Sequence, residues 1–122
     1  NWNLVREDIK AVVDATKVAG VTKDIITKVI IESSYLAKEE IKKVAEISKD
    51  VGAEFIKTST GFDDRVADTE DISLVRKTVG RSIGVEAAGG IKNFEESIEM
   101  LDAGANRIAT VFGVTIVTGE DE

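Results

Sequence analysis

Apolar residues recur along this chain with two alternating periods. Residues 4–18 place Val5, Ile9, Val12 and Val13 on one helical face, and residues 38–51 do the same with Ile41, Val44, Ala45 and Val51. Residues 69–79 offer Ile72, Val75 and Val79, and residues 94–103 offer Phe94, Ile98 and Leu101. Between these stretches lie short apolar runs fit for buried strands, at 28–32, 54–58, 83–87 and 107–111. Gly20, Gly52, Gly80 and Gly104 each follow a predicted helix, where a glycine ends the last turn in a left-handed conformation. Asn93, followed three residues later by Glu96, reads as a helix N-cap with its capping partner. The order is αβαβαβαβ, which requires parallel strands joined by helical crossovers. Two architectures fit it: half of a (β/α)8 barrel, possible closure by dimerisation included, or an open flavodoxin-like sheet.

Composition narrows the chemistry. At 122 residues the chain is expected to be one domain, 1–122, with an acidic frayed end at 119–122. It holds no Cys and no His, which removes disulfides, thiolate nucleophiles and imidazole bases or ligands. Sixteen basic against 23 acidic side chains give a net charge of −7, which argues against nucleic acid and anionic membranes as partners. No apolar run approaches the roughly 20 residues of a membrane span, so the expected location is the cytoplasm. The sequence opens Asn1-Trp2-Asn3 and its one methionine is Met100, so a processed start or a piece of a longer chain is expected.

In parallel α/β folds the chemistry sits at the C-terminal ends of the strands. The second predicted strand places Phe55, Lys57 and Ser59 on one face. If that face is a barrel interior, Lys57 points into a site, where a desolvated amine can attack a carbonyl. A lysine in a buried ion pair, or on a solvated face, would give the same pattern. The third strand runs into Gly89-Gly90 before a capped helix. Bare backbone N–H groups there suit an anion, though a tight strand-to-helix turn wants glycine equally.

Four segments together carry a family resemblance: Lys28-Val29-Ile30-Ile31-Glu32-Ser33-Ser34-Tyr35-Leu36, then Phe55-Ile56-Lys57-Thr58-Ser59-Thr60-Gly61-Phe62, then Gly84-Val85-Glu86-Ala87-Ala88-Gly89-Gly90-Ile91-Lys92, then Ala103-Gly104-Ala105-Asn106-Arg107-Ile108. The chain strongly resembles, nearly end to end, the C-terminal half of deoxyribose-phosphate aldolase. The resemblance implies strands five to eight of a (β/α)8 barrel and a class I lyase of deoxyribonucleotide catabolism. Such an enzyme cleaves 2-deoxyribose 5-phosphate to acetaldehyde and glyceraldehyde 3-phosphate, or joins the two, without metal or organic cofactor. It further implies that Lys57 forms the Schiff base, that Lys28 lines the site, and that Gly61, Gly89 and Gly90 seat the phosphate.

Three positions depart from the family pattern. Glu86 stands where the family has a second active-site lysine, and a carboxylate there is expected to favour the unreactive ammonium form of Lys57. Residues 109–113 read Ala-Thr-Val-Phe-Gly, without the family's phosphate-holding serines, and Asp63 and Asp64 follow Gly61. Strands one to four, with the catalytic aspartate the family carries on the fourth, are not in the sequence. The expectation is therefore a truncated aldolase of impaired activity, acting if at all on a phosphosugar or small aldehyde, and self-associating through its strand edges. The alternative is a non-catalytic half-barrel serving as a scaffold or assembly domain.

Overall fold

The computed structural model describes residues 1–18 and 25–119. In chain order the elements are α1 (Trp2–Val18), β1 (Lys28–Ile30), a single 3-10 turn (Ser33–Tyr35), α2 (Lys38–Asp50), β2 (Phe55–Lys57), α3 (Thr69–Val79), β3 (Gly84–Ala88), α4 (Phe94–Ala103), β4 (Arg107–Ala109) and α5 (Gly113–Thr118). All four strands are parallel and stand in the order β1-β2-β3-β4. A flavodoxin-like sheet would reverse its order beside the first strand. Here no reversal occurs, and each helix packs against the next one in sequence. The architecture is four consecutive βα units of a barrel, left unclosed.

Strand alternation divides the sheet into two faces. Ile31, Ile56, Val85 and Ala87 point into the helix layer and join Ile41, Val44, Ile72, Val75 and Val79 in one core. The other face is the one a closed barrel would turn inward. It carries Lys28, Ile30, Phe55, Lys57, Gly84, Glu86, Ala88, Arg107 and Ala109.

The strands are shorter than the apolar runs predict, because pairing beyond them is carried by loop backbone and by side chains. Ile31 N–H donates to the Lys57 carbonyl (3.0 Å) and Ser33 N–H to the Thr58 carbonyl (2.9 Å). The Thr58 hydroxyl donates to the Ala88 carbonyl and accepts from its N–H, both at 3.1 Å. This knots β2 to β3 at their C-terminal ends, beneath the glycine pair.

Two predicted helix faces need correction. On α4 the buried residues are Ser97 and Met100, whereas Phe94, Ile98 and Leu101 are exposed. On α1 Val13 is buried and Val12 is exposed. Both helices lie at an end of the helix layer. Among the described residues, only the six-residue α5 stands beyond α4, with Val114 and Val117 themselves exposed. Apolar positions that a closed barrel would cover with a further helix stay open here. Asn93 caps α4 as expected, its side chain accepting from Glu96 N–H (2.9 Å), but the Glu96 carboxylate returns to Lys92 N–H (2.7 Å) rather than to Asn93. The predicted Gly20 cap and the acidic end beyond Gly119 lie outside the described residues.

Candidate active site

The three ionisable residues singled out from the sequence meet on the open face of the sheet. Lys57 stands in register beside Glu86, and Glu86 beside Arg107. Glu86 is buried, and its two oxygens face different lysines: Oε2 lies 2.5 Å from Lys28 Nζ and Oε1 lies 3.8 Å from Lys57 Nζ. Lys28 starts β1 one layer lower, opposite Phe55, and reaches up and across β2 to make this contact. The carboxylate beside Lys57 is therefore not bare. It belongs first to Lys28, so the field at the Lys57 nitrogen is that of a partly neutralised pair.

Under this layer lies Phe55. Its ring is flanked by two cations, with the Arg107 guanidinium 4.3 Å and Lys28 Nζ 5.7 Å from the centroid. Gly84 sits in register with Phe55, and a methyl group at Gly84 would overlap the ring. The strand carries glycine there so that the ring can lie flat on it and floor the site.

Above the layer, at the C-terminal ends of the strands, a cavity of about 250 Å3 opens over Lys57, walled by Gly61, Gly89, Gly90, Thr110 and Phe112 among others. The sequence places Lys57, Gly61, Gly89 and Gly90 at one site, and the structure brings all four to this cavity. Gly89 and Gly90 both have positive φ (111° and 65°), a conformation that favours glycine. The loop 61–67 is tied over them by Ala67 N–H donating to the Gly89 carbonyl (2.7 Å). The Gly61 N–H is already spent on Ser59 Oγ (2.9 Å), and the Phe112 N–H on Thr110 Oγ (3.0 Å).

One support of the cavity wall, behind Thr60, was not legible from the sequence. Glu32 adopts a left-handed backbone conformation (φ 49°), the one non-glycine residue with positive φ among those described. Its carboxylate accepts from Thr60 N–H (3.0 Å) and Thr60 Oγ (2.7 Å), and these bonds hold its pKa below the usual glutamate value. Glu32 thereby fixes the loop that begins at the end of β2. The acidic pair after Gly61 divides: Asp64 is exposed, whereas Asp63 is turned back onto the Ser34 hydroxyl, which lowers its pKa. Among the described residues no cluster of side chains could hold a metal ion, and no helix is long and apolar enough to cross a membrane.

A lysine amine set in a parallel sheet, below a cavity at the strand ends and beside a buried carboxylate, stands where parallel βα folds place their chemistry. No protein-family model matches the chain. Individual relatives do. The deoxyribose-phosphate aldolase of Macrococcus caseolyticus is 51% identical over 121 residues, which is 99% of this chain and 52% of that protein. The deoxyribose-phosphate aldolase of Thermococcus kodakarensis is 48% identical over 119 residues, 98% of this chain and 51% of its own length. Among solved structures, the aldolase QR15 superposes with a TM-score of 0.84 at 40% identity, covering 97% of this chain and 51% of that one. The tetrameric deoxyribose phosphate aldolase of Aeropyrum pernix superposes at 0.85 with 24% identity over 98% of this chain and 50% of that one, a likeness of fold. The chain is homologous, end to end, to the C-terminal half of deoxyribose-phosphate aldolases, and it spans about half the length of the curated relatives it matches.

Proposed function

We propose that this chain carries a Schiff-base aldol site of the deoxyribose-phosphate aldolase type, with Lys57 as the nucleophile. The neutral amine adds to the carbonyl carbon of an aldehyde, and loss of water from the carbinolamine leaves an imine. In the cleavage direction the imine forms at the aldehyde carbon of 2-deoxyribose 5-phosphate. As the 3-hydroxyl gives up its proton and its oxygen becomes the aldehyde of glyceraldehyde 3-phosphate, the imine draws in the electron pair of the breaking C2–C3 bond. The resulting enamine takes up a proton at C2, and hydrolysis of the imine then frees acetaldehyde and the amine. The observation that carries the reading is Lys57 itself, a largely buried lysine whose side chain lines the cavity at the strand ends. A lysine kept only for an ion pair would not need that cavity. Gly89 and Gly90 are the positions that would receive the phosphate, at the entry to the N-terminus of α4.

The test is reductive trapping. The protein is incubated with acetaldehyde and borohydride, and the modified peptide is located by mass. Addition of one ethyl group at Lys57, lost in Lys57→Met, supports the reading. Modification confined to exposed lysines such as Lys92 removes it.

Self-association belongs to the same proposal. Among the described residues β1 and β4 each present one edge with no partner strand, and the inward face is open. Pairing of β1 with β4 of a second copy, twice over, would close a barrel and bury both edges. Light scattering of the isolated chain tests this, and a stable monomer would refute it.

A further inference from the structure

We propose that Glu86 is a further catalytic residue, the group that relays protons at the Lys57 nitrogen while the imine forms. The inference rests on the Schiff-base reading above and extends it to a residue at which this chain departs from the family pattern. Three observations carry it. Glu86 is buried, so its carboxylate is kept on the inward face by more than solvent. Its two oxygens are divided, Oε2 held by Lys28 at 2.5 Å and Oε1 turned toward Lys57 Nζ at 3.8 Å. The side chains that reach it are cations, Lys28 from β1 and Lys57 from β2, while Arg107, in register with it on β4, turns its guanidinium onto the Phe55 ring. Held between Lys28 and Lys57, the carboxylate is charge-paired on the inward face before substrate arrives.

The steps balance with one carboxylate. Glu86 takes a proton from the Lys57 ammonium, leaving a neutral amine. The nitrogen lone pair bonds to the aldehyde carbon as the carbonyl electron pair moves to oxygen, and Glu86 returns its proton to that oxygen. The adduct's nitrogen, now positively charged, gives Glu86 a second proton. Glu86 delivers this one to the hydroxyl, which leaves as water while the nitrogen lone pair forms the double bond. The ammonium has become a protonated imine, and Glu86 is again a carboxylate. Catalytic contacts of this kind are often long in the free protein and tighten when substrate binds.

The opposite role makes an opposite prediction. If Glu86 only locks Lys57 as ammonium, removing its charge speeds labelling. If Glu86 relays protons, removing its basicity slows labelling. The experiment is the rate of acetaldehyde–borohydride trapping at Lys57 across pH 5–9 in the wild type, Glu86→Gln and Glu86→Asp, each checked for folding by circular dichroism. Positioned acid–base groups contribute roughly 100- to 10,000-fold. A fall of at least tenfold is expected for Glu86→Gln across the range, with Glu86→Asp in between. Glu86→Gln trapping as fast as the wild type, or faster, overturns the proposal while leaving Lys57 as nucleophile. Should Glu86→Gln fail to fold, Glu86→Asp decides: its carboxylate is set back from Nζ, so an undiminished rate overturns the proposal. A wild type that traps nothing at Lys57 overturns the Schiff-base reading and this proposal with it.

Discussion

Gly84→Ala is predicted to destabilise the protein, against the ordinary sign of that substitution. Gly84 opens β3 and is not among the glycines of positive φ. Replacing such a glycine normally stabilises by about 0.4–1 kcal/mol, because alanine has less freedom to lose on folding. Here the added methyl would fall on the Phe55 ring. The ring cannot retreat freely, since Arg107 and Lys28 flank it and Ile56 beside it is fully buried in the core. Overpacking of this kind costs about 1–3 kcal/mol. Displacing the two cations adds about 0.5–1 kcal/mol each at sites this open. The net expectation is a loss of about 1–4.5 kcal/mol, read as a lower urea midpoint at unchanged slope. A double-mutant cycle isolates the cause. Phe55→Ala alone opens a gap and loses the cation contacts, but in the Gly84→Ala background it also relieves the overlap. The two substitutions should then cost less together than separately, by about 1 kcal/mol or more. A Gly84→Ala protein more stable than the wild type, or two costs that simply add, would refute this account of the floor of the site.

Arg76 is predicted to matter more for stability than any other charged residue of the helix layer. It donates to the carbonyls of Gly104 (2.9 Å), Gly80 (2.7 Å) and Ile83 (2.9 Å) and to Asn106 Oδ1. Arg76→Met should cost about 2–4 kcal/mol in urea unfolding, and Arg76→Lys should recover little of it, because an ammonium cannot serve a fork of acceptors. Glu32 sets an acid limit on the site loop: its pKa is lowered in the folded state by Thr60, so its contribution is complete above the ordinary glutamate value and is lost as pH falls through the lowered one. Amide exchange at Thr60 should therefore accelerate only in that acid window, and Glu32→Gln should remove the acid dependence. A Thr60 amide equally protected at every pH would contradict it.

How much of this was legible beforehand depended on the range of the interaction. The βα rhythm and the inward direction of Lys57 follow from periods of a few residues, and both stand in the structure. The Lys28–Glu86 contact joins residues 58 apart, and nothing local marks it. For Arg107 the sequence carries one signal: alternation within β4 puts it on the same face as Ala109. The Phe55–Gly84 fit needed the register between two strands, which no single strand contains. The faces of α1 and α4 differ from the expected ones because apolar spacing shows that a residue wants cover, not whether a neighbour supplies it. Where the helix layer ends, Val12, Ile98 and Leu101 remain exposed. The run Gly113–Thr118 is rich in β-branched residues, which suit strands, yet it forms a short helix closed by Gly119 in a left-handed conformation.

The exchange of a lysine for Glu86 looks, from sequence, like the loss of nucleophile activation. Taken alone, a carboxylate 3.8 Å from Lys57 Nζ attracts its ammonium by about 4 kcal/mol at an effective dielectric near 20. That attraction does not act alone. The two carboxylate contacts put Lys28 Nζ no more than about 8.5 Å from Lys57 Nζ, where like charges repel by about 2 kcal/mol or more at the same dielectric. Partial exposure of both lysines reduces both figures together and leaves their ratio, so Lys28 offsets about half of the pull on Lys57. The inward face keeps an excess of two cations, Lys28, Lys57 and Arg107 against Glu86. An anion would thus meet a locally positive face on a chain whose net charge is −7, and a carboxylate at position 86 does not reverse the sign of that field.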